Sequence, residues 1–288
     1  MLRDYSESQK GRKTGSKKGV GMRLNPLWDL LFALAIAGVG FWYFSERKAR
    51  AQISRIRQFL FYFALGLSAI LLVGPIPHYA VRIFWVHMIQ HIGLMMLISP
   101  LLILGSPFEI VAHSQHSSLT RFFKVLARNK VFNQLFKAPV GFTLFLVILI
   151  GTHFSPLANA GMTNPNMHCL ELTLFLLGGL IYYYPVMEGN PTIHFVPYSN
   201  RVISLFAMMV PETMVGFFLY SGNRVLHSLP STTSMSMGLA DQHQGGAIMW
   251  AMGMLIDSMW IVLAAKDWFA NEKLLAELED EKEESEKN

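Results

Sequence analysis

The sequence predicts an all-α protein, a polytopic membrane helical bundle with about seven transmembrane helices. Of its 288 residues, 52% are hydrophobic and only 15% are charged, whereas a soluble globular domain carries about 25% charged residues. The apolar residues fall in long runs that approach the roughly 20 residues a helix needs to cross a bilayer. Because these runs are continuous and lack the two-residue alternation of membrane strands, they indicate helices.

Seven apolar runs are the predicted spans, and together they form one bundle over residues 24–265. In chain order they are Leu27–Phe44, Gln58–Pro75, Ala80–Leu104, Pro139–His153, His168–Pro185, Arg201–Tyr220 and Gln244–Ala265. A basic N-terminal tail at residues 1–23 precedes the bundle. A charged C-terminal tail at residues 266–288 follows it, and its end, LEDEKEESEKN, is typical of a solvated segment.

The positive charges of short loops predict how the bundle is oriented, because lysine and arginine concentrate on the cytoplasmic side of a membrane. The loops before the second and fourth spans are both basic. Their cations are Arg47, Lys48, Arg50, Arg55, Arg57, Arg121, Lys124, Arg128, Lys130 and Lys137. Both loops are therefore predicted to face the cytoplasm, together with the C-terminal tail, and the alternate loops are predicted to face outward.

Net charge and cysteine content narrow the possible partners and sites. The net charge of +5 is explained by attraction between the basic loops and anionic lipid headgroups. No nucleic-acid-binding motif accompanies these charges, so membrane lipid is an expected partner and nucleic acid is not. The single cysteine, Cys169, permits neither an intramolecular disulfide nor a metal site built from several thiolates.

Imidazole and carboxylate groups cluster in the outer halves of three predicted spans. The third span contains WVHMIQHIGLMM, with two histidines four residues apart on one helix face. The fifth span begins with HCLE, and the seventh follows LADQH. Ionisable groups inside a bilayer are costly and usually face a cavity or the bundle interior, so they predict one shared outer-side site. Its members are His87, His91, His168, Glu171, Asp241 and His243.

Three kinds of metal chemistry are open to this cluster. A zinc protease of the HExxH type would need its general base from elsewhere, such as Glu171, because Met88 follows His87 and the intervening polar residue is Gln90. A haem bundle with axial histidines is neither required nor excluded by the spacing. Copper(I) favours imidazole and thioether ligands, and Met235 and Met237 in the predicted outer loop STTSMSMGL would be placed to receive the ion.

Three stretches of the sequence resemble the signatures of CtaG-type cytochrome c oxidase assembly proteins, which are multi-spanning bacterial membrane proteins. They are HMIQHIGLMMLISPLLILGSP, HCLELTLFLLGGLIYYYPV and DQHQGGAIMW, in the family's order. The matching positions are His87, Gln90, His91, His168, Glu171, Asp241 and Gln242. One position departs from the family pattern: Leu172 stands where a second histidine usually follows the glutamate, and His243 is a candidate to compensate for it.

The resemblance implies an accessory protein, not an enzyme, that provides copper to a haem-copper oxidase in the bacterial cytoplasmic membrane. We expect Cu(I) to be held by the six clustered residues, with Gln90 and Gln242 orienting ligands and Met235 and Met237 receiving the ion. A haem-copper oxidase subunit is the expected protein partner. Two alternatives remain open, namely a copper permease that uses the same cavity and a metal-free assembly scaffold.

Two features of the apolar runs bear on these alternatives. A permease needs polar or soft groups that continue to the cytoplasmic side, and the inner halves of spans two, four and seven are interpreted as apolar. Glu212 in the sixth span has no assigned role. His153, alone at the end of the fourth span, is interpreted as a hydrogen-bonding residue and not as a ligand.

Overall fold

A computed structural model describes residues 26–114, 128–187, 194–226 and 234–287, together with positions 121 and 125. The predicted basic tail at residues 1–23 lies outside the described residues. Every regular element within the described ranges is helical, which confirms the predicted all-α polytopic bundle. The helices are α1 (Pro26–Ser45), α2 (Arg47–Arg50), α3 (Arg55–Leu72), α4 (Pro75–Ala80), α5 (Phe84–Ile92), α6 (Ser99–Leu104), α7 (Pro107–His113), α8 (Lys130–Leu135), α9 (Ala138–Phe154), α10 (Pro156–Thr163), α11 (Pro165–Val186), α12 (Tyr198–Ser221) and α13 (Met235–Lys287).

The number of spans agrees with the predicted number. Six described helical stretches are long and apolar enough to cross a membrane, and α9 with α10 makes a seventh if this pair, bent by 69° at Ser155, counts as one span. Ser155 caps α10 by accepting a hydrogen bond from the backbone N–H of Leu157. The bend returns α10 to the N-terminal end of α11, where the fifth span begins.

The third span extends from Phe84 to His113, and the helical geometry changes near its centre. Residues Gly93–Ile98 between α5 and α6 form a π-helix, just before Pro100, whose ring cannot occupy an ordinary helix interior without displacing the preceding turn. The indole N–H of Trp260 donates to the Met96 carbonyl oxygen at 2.8 Å. The widened turn therefore obtains a hydrogen-bond partner from α13.

Close approaches at small residues hold the inner helices together. A Cβ atom at Gly179 of α11 would meet the Met95 carbonyl oxygen and Ser99, and one at Gly246 of α13 would meet the backbone of Tyr220. Small residues at such points let helix backbones approach in a membrane, where apolar surface alone gives little preference for protein over lipid. The π-helix and the start of α6 therefore pack directly against α11, and α12 packs directly against α13.

The last helix is longer than the predicted seventh span. Helix α13 begins at Met235 and continues through the charged C-terminal residues to Lys287, so Met235 and Met237 lie in its first turn and not in a loop. Both side chains are exposed. The charged end is rich in Leu, Ala, Glu and Lys, which favour helix, and Lys273 pairs with Glu277 one turn later at 3.6 Å.

Candidate metal site

The centre of the site is the pair of histidines on one face of α5. The His87 and His91 rings lie with their centroids 4.0 Å apart, and both side chains are almost fully buried. Their four-residue spacing alone places them one above the other on a helix. The two rings lie on one face of α5, as their spacing predicts.

Glu171 of α11 faces both histidines from the opposite side. Its Oε2 atom lies 3.4 Å from His87 Nε2 and 3.7 Å from His91 Nε2. His168, one turn earlier on α11, places its Nδ1 atom 3.9 Å from the same oxygen. Ligand atoms of His87, His168 and Glu171 all lie within 4.8 Å of one another, which is close enough to surround one metal ion.

Gln90 fixes the orientation of the His168 ring. The Gln90 side-chain amide donates to the Leu71 carbonyl oxygen at 2.6 Å, and its Oε1 atom lies 3.1 Å from His168 Nε2. Because Oε1 can only accept, Nε2 must carry the proton and donate. With its Nε2 proton held by Gln90, the His168 ring turns Nδ1 toward Glu171, and a lone pair on Nδ1 would point into the site. Buried partners commonly prepare a histidine to bind metal in this way.

His153 also belongs to this region, although the sequence analysis set it aside. The ring is buried, and its centroid lies 5.5 Å from that of His91. Its Nδ1 atom donates to the Leu149 carbonyl oxygen at 2.7 Å, so the lone pair of Nε2 is free for another partner. A small cavity borders His87, His91 and His153.

Gly161 of α10 leaves space for the Glu171 carboxylate. A Cβ atom at this position would collide with Oε2 of Glu171. The bend between α9 and α10 brings Gly161 to this point, so the lack of a side chain there is part of how the site is built. Gly161 is not among the site residues predicted from the sequence, because nothing in its position along the chain indicates contact with Glu171.

Apart from the approach of three imidazoles to Glu171 Oε2, several polar atoms of the site make no hydrogen bond within the described part of the chain. Those without a hydrogen bond are His87 Nδ1, both nitrogens of His91, His168 Nδ1, His153 Nε2 and both oxygens of Glu171. Buried polar groups are ordinarily hydrogen-bonded, and a buried carboxylate needs a compensating charge. A bound cation would satisfy the lone pairs and the carboxylate together, so these residues fit a metal ion.

Two residues predicted as ligands lie elsewhere, and both have other partners. The carboxylate of Asp241 accepts from the backbone N–H groups of Phe84 at 2.8 Å and Trp85 at 3.1 Å, which caps the start of α5. His243 Nε2 lies 2.8 Å from the Gly222 carbonyl oxygen. The structure thus brings together four of the six predicted ligands and leaves Asp241 and His243 outside the group.

Gln242, predicted to orient a ligand, instead ties α13 to the end of α12. Its side-chain oxygen accepts from the backbone N–H of Leu226 at 2.8 Å, and its amide donates to the carbonyl oxygens of Leu219 and Arg224 at 3.3 and 3.1 Å. The DQH motif consequently positions helices. The burial of Gln242 follows from this bridging role.

The fold and this geometry define a polytopic helical membrane protein with a buried group of imidazoles and one carboxylate at its centre. The sequence model described as cytochrome c oxidase caa3 assembly factor (Caa3_CtaG) matches residues 36–271. This match covers most of the chain, and the protein belongs to that family. The resemblance recognised in the three sequence stretches is confirmed.

Curated relatives occur in mycobacteria. Uncharacterized proteins from Mycobacterium bovis and Mycobacterium tuberculosis are each 26% identical over 216 residues, and one from Mycobacterium leprae is 28% identical over 216 residues. Each match covers 70% of this chain and 32% of the relative. The chain therefore spans about a third of the length of these relatives. No solved structure matches the chain.

Proposed function

We propose that this protein is an assembly factor for cytochrome c oxidase that holds copper in the His/Glu site and passes it to a haem-copper oxidase. The observation that carries the proposal is the convergence of His87, His168 and Glu171 ligand atoms within 4.8 Å inside a membrane bundle. Ionisable groups placed at such depth are costly and usually functional. Membership of the oxidase assembly family supplies the biological process.

The donor set supports copper as the cargo. His87, His91 and His168 offer imidazole nitrogens, and the thioether-bearing side chain of Met88 borders the same small cavity as His87. Copper(I) favours imidazole and thioether ligands, whereas a site limited to oxygen donors would favour harder ions. Zinc also accepts imidazole and carboxylate ligands, so the metal-binding experiments include it as a competitor.

Each residue of the site has a distinct part in the proposal. His87, His91 and His168 bind the cargo, Glu171 balances its charge, and Gln90 holds the His168 ring in place. Transfer is an exchange of ligands, in which donor groups of the oxidase displace the imidazoles one at a time. This role requires no covalent reaction, and the protein acts as a carrier and not as an enzyme.

The charges around the bundle suggest where transfer occurs. Arg47, Lys48 and Arg50 lie in α2, which follows the C-terminal end of α1. At the other end of α1, the indole N–H of Trp28 donates to the Asn166 side chain beside the α10–α11 turn. Basic loops favour the cytoplasmic side, which would put His87 and Asp241 toward the outside. Met235 and Met237, exposed at the start of α13, are proposed to make the first contact with incoming copper on that side.

Complementation of a deletion strain tests the proposal. In a native-host strain without this gene, we expect membranes to contain cytochrome c oxidase with less copper and lower activity. Wild-type protein should restore both, and the His87→Ala/His91→Ala double variant should restore neither. His113→Ala is the matched control, because His113 is exposed and, among the described residues, its ring bonds to the nearby Glu109 carbonyl oxygen.

Copper supplementation separates delivery from scaffolding. If the protein delivers copper, excess copper in the medium should partly restore the oxidase in the deletion strain. If the double variant restores the oxidase fully and supplementation has no effect, copper delivery is wrong and the scaffold alternative takes its place. Immunoblots of the membranes establish that all variants accumulate equally.

A further inference from the structure

A second buried polar cluster lies between α12 and α13, apart from the candidate metal site. Glu212 of α12 is 3% exposed and Asp257 of α13 is 2% exposed. Glu212 has no role predicted from the sequence, and the inner half of the seventh span is predicted to be apolar. Asp257 lies in that half, so the interpretation was wrong there.

The two carboxyl groups are each other's main polar neighbours. Helices α12 and α13 meet closely one turn from Glu212, where a Cβ atom at Gly216 would touch the backbone of Trp250, and the buried Glu212 and Asp257 side chains interact across this interface. No other donor in the described chain reaches either Glu212 oxygen or Oδ2 of Asp257. A carboxylate can only accept a hydrogen bond. Contact between two carboxyl groups without a donor therefore requires a proton on one of them.

The groups around the pair contribute no positive charge. Helix α11 presents Tyr182 and Tyr183, which interact electrostatically with both carboxyls. The Tyr182 hydroxyl donates to the Ser204 carbonyl oxygen at 3.1 Å. The Tyr183 hydroxyl is fully buried and has no hydrogen-bond partner among the described residues. Within the part of the chain that the structure describes, no lysine, arginine or histidine acts on either carboxyl.

Electrostatics then restricts the charge that the pair can carry. Two adjacent carboxylates cannot both ionise in a low-dielectric interior, because the like charges repel and neither is solvated. Such pairs titrate as a unit and retain a proton between them. A calcium ion would need six to eight oxygen ligands, more than these side chains supply, and copper(I) prefers softer donors.

We propose that Glu212 and Asp257 form a proton-binding site that holds a shared proton at neutral pH, with Tyr183 as its third polar member. Tyr183 and Glu171 are separated by twelve residues on α11, which is about 18 Å along a helix. The proton site is therefore distinct from the candidate metal site, and it does not depend on the proposed copper function. The pair also lies in the half of the bundle that is predicted to face the cytoplasm. The permease alternative requires polar groups in that half, and none had been assigned there.

Infrared spectroscopy of the purified full-length protein in lipid nanodiscs tests this proposal. A protonated carboxyl group has a C=O stretching band that an ionised carboxylate lacks, and this band shifts in D₂O. We expect the wild type to show such a band at pH 7. The Glu212→Gln/Asp257→Asn double variant should lose it, and each single variant should shift it, because the surviving group bonds to an amide instead of an acid.

Controls make each outcome decisive. Asp267→Asn alters an exposed carboxylate on the same helix and should leave the band unchanged. If the wild type shows no protonated-carboxyl band, the pair is ionised or holds a metal cation, and the proposal is overturned. A band that persists unchanged in the double variant also overturns it. Absence of the band in the wild type would overturn the proposal even if a variant fails to fold.

Discussion

The two buried polar clusters of this protein differ in the chemistry of their members. The candidate metal site combines the imidazoles of His87, His91 and His168 with one carboxylate, whereas the second cluster pairs Glu212 with Asp257. A neutral imidazole offers a lone pair without adding negative charge, so several can converge on a cation. Two acids can approach only if they retain a proton. Although both clusters are buried, the chemistry of their side chains therefore predicts different ligands for them.

The surroundings of the two clusters differ as well. The metal site is supported by fixed contacts, such as the Gln90 amide to the Leu71 carbonyl oxygen, and Gly161 leaves space beside Glu171. The acid pair lies between α12 and α13, whose backbones meet closely at Gly216 and Gly246. One cluster has a small cavity and the other lies within a tight helix interface. This contrast suits a metal ion in the first and a proton in the second.

Gln90→Leu is expected to have the largest effect on copper among these tests. The change removes the acceptor that holds His168 Nε2–H, so the ring no longer presents Nδ1 in a fixed orientation. Partners of metal-binding histidines contribute roughly 10- to 100-fold in affinity, and we expect a loss of that size in chelator competition. Gln52→Ala, at an exposed position, should change nothing. Undiminished affinity in Gln90→Leu would contradict the assigned role of Gln90.

Gly161→Ala should weaken copper binding about tenfold, because the added methyl displaces the Glu171 carboxylate. It should also lower the free energy of unfolding by about 1–3 kcal/mol, the usual cost of overpacking. Gly151→Ala is the matched control, since a Cβ atom there has no neighbour within 4 Å. Equal effects of the two substitutions would show that Gly161 does not shape the site.

Substitutions of Asp241 distinguish its helix-capping role from the ligand role predicted from the sequence. Asp241→Asn retains one side-chain oxygen and can keep one of the two bonds from the Phe84 and Trp85 N–H groups. If Asp241 is only a cap, copper(I) affinity should stay within a few-fold of the wild type. Asp241→Ala removes the cap and should cost about 1 kcal/mol of unfolding free energy. A complete loss of copper in Asp241→Asn would restore this residue to the ligand set.

Asp257→Ala should leave the copper(I) affinity unchanged, because the acid pair is remote from the metal site. The substitution leaves Glu212 buried without its partner, and we expect the free energy of unfolding to fall by about 1–3 kcal/mol. Asp267→Ala on the exposed part of the same helix should alter neither quantity. A marked change in copper affinity for Asp257→Ala would show that the two clusters are coupled.

Hydropathy and helical spacing predicted most of the fold and the centre of the site. The long apolar runs identified the bundle, and the four-residue spacing of His87 and His91 put both rings on one face. The three-residue spacing of His168 and Glu171 did the same for α11. These are local relations within a helix, and the sequence contains them directly.

The remaining features depend on contacts between helices distant in sequence. Asp241 caps a helix that begins 157 residues earlier, and nothing in its own neighbourhood indicates which N–H groups it meets. His153 reaches the site because α9 packs beside α11, and Gly161 because the chain bends by 69° after α9. Asp257 was overlooked because a single acid hardly lowers the hydropathy of an apolar run.

Copper(I) binding by the purified protein tests the central claim most directly. Chelator competition and elemental analysis would compare the wild type with His87→Ala/His91→Ala and with His243→Ala, which alters a predicted ligand outside the structural group. We predict near-stoichiometric copper(I) in the wild type and in His243→Ala, and its loss in the double variant. Absence of copper(I) binding by the folded wild type, or undiminished binding by the folded double variant, would contradict the account.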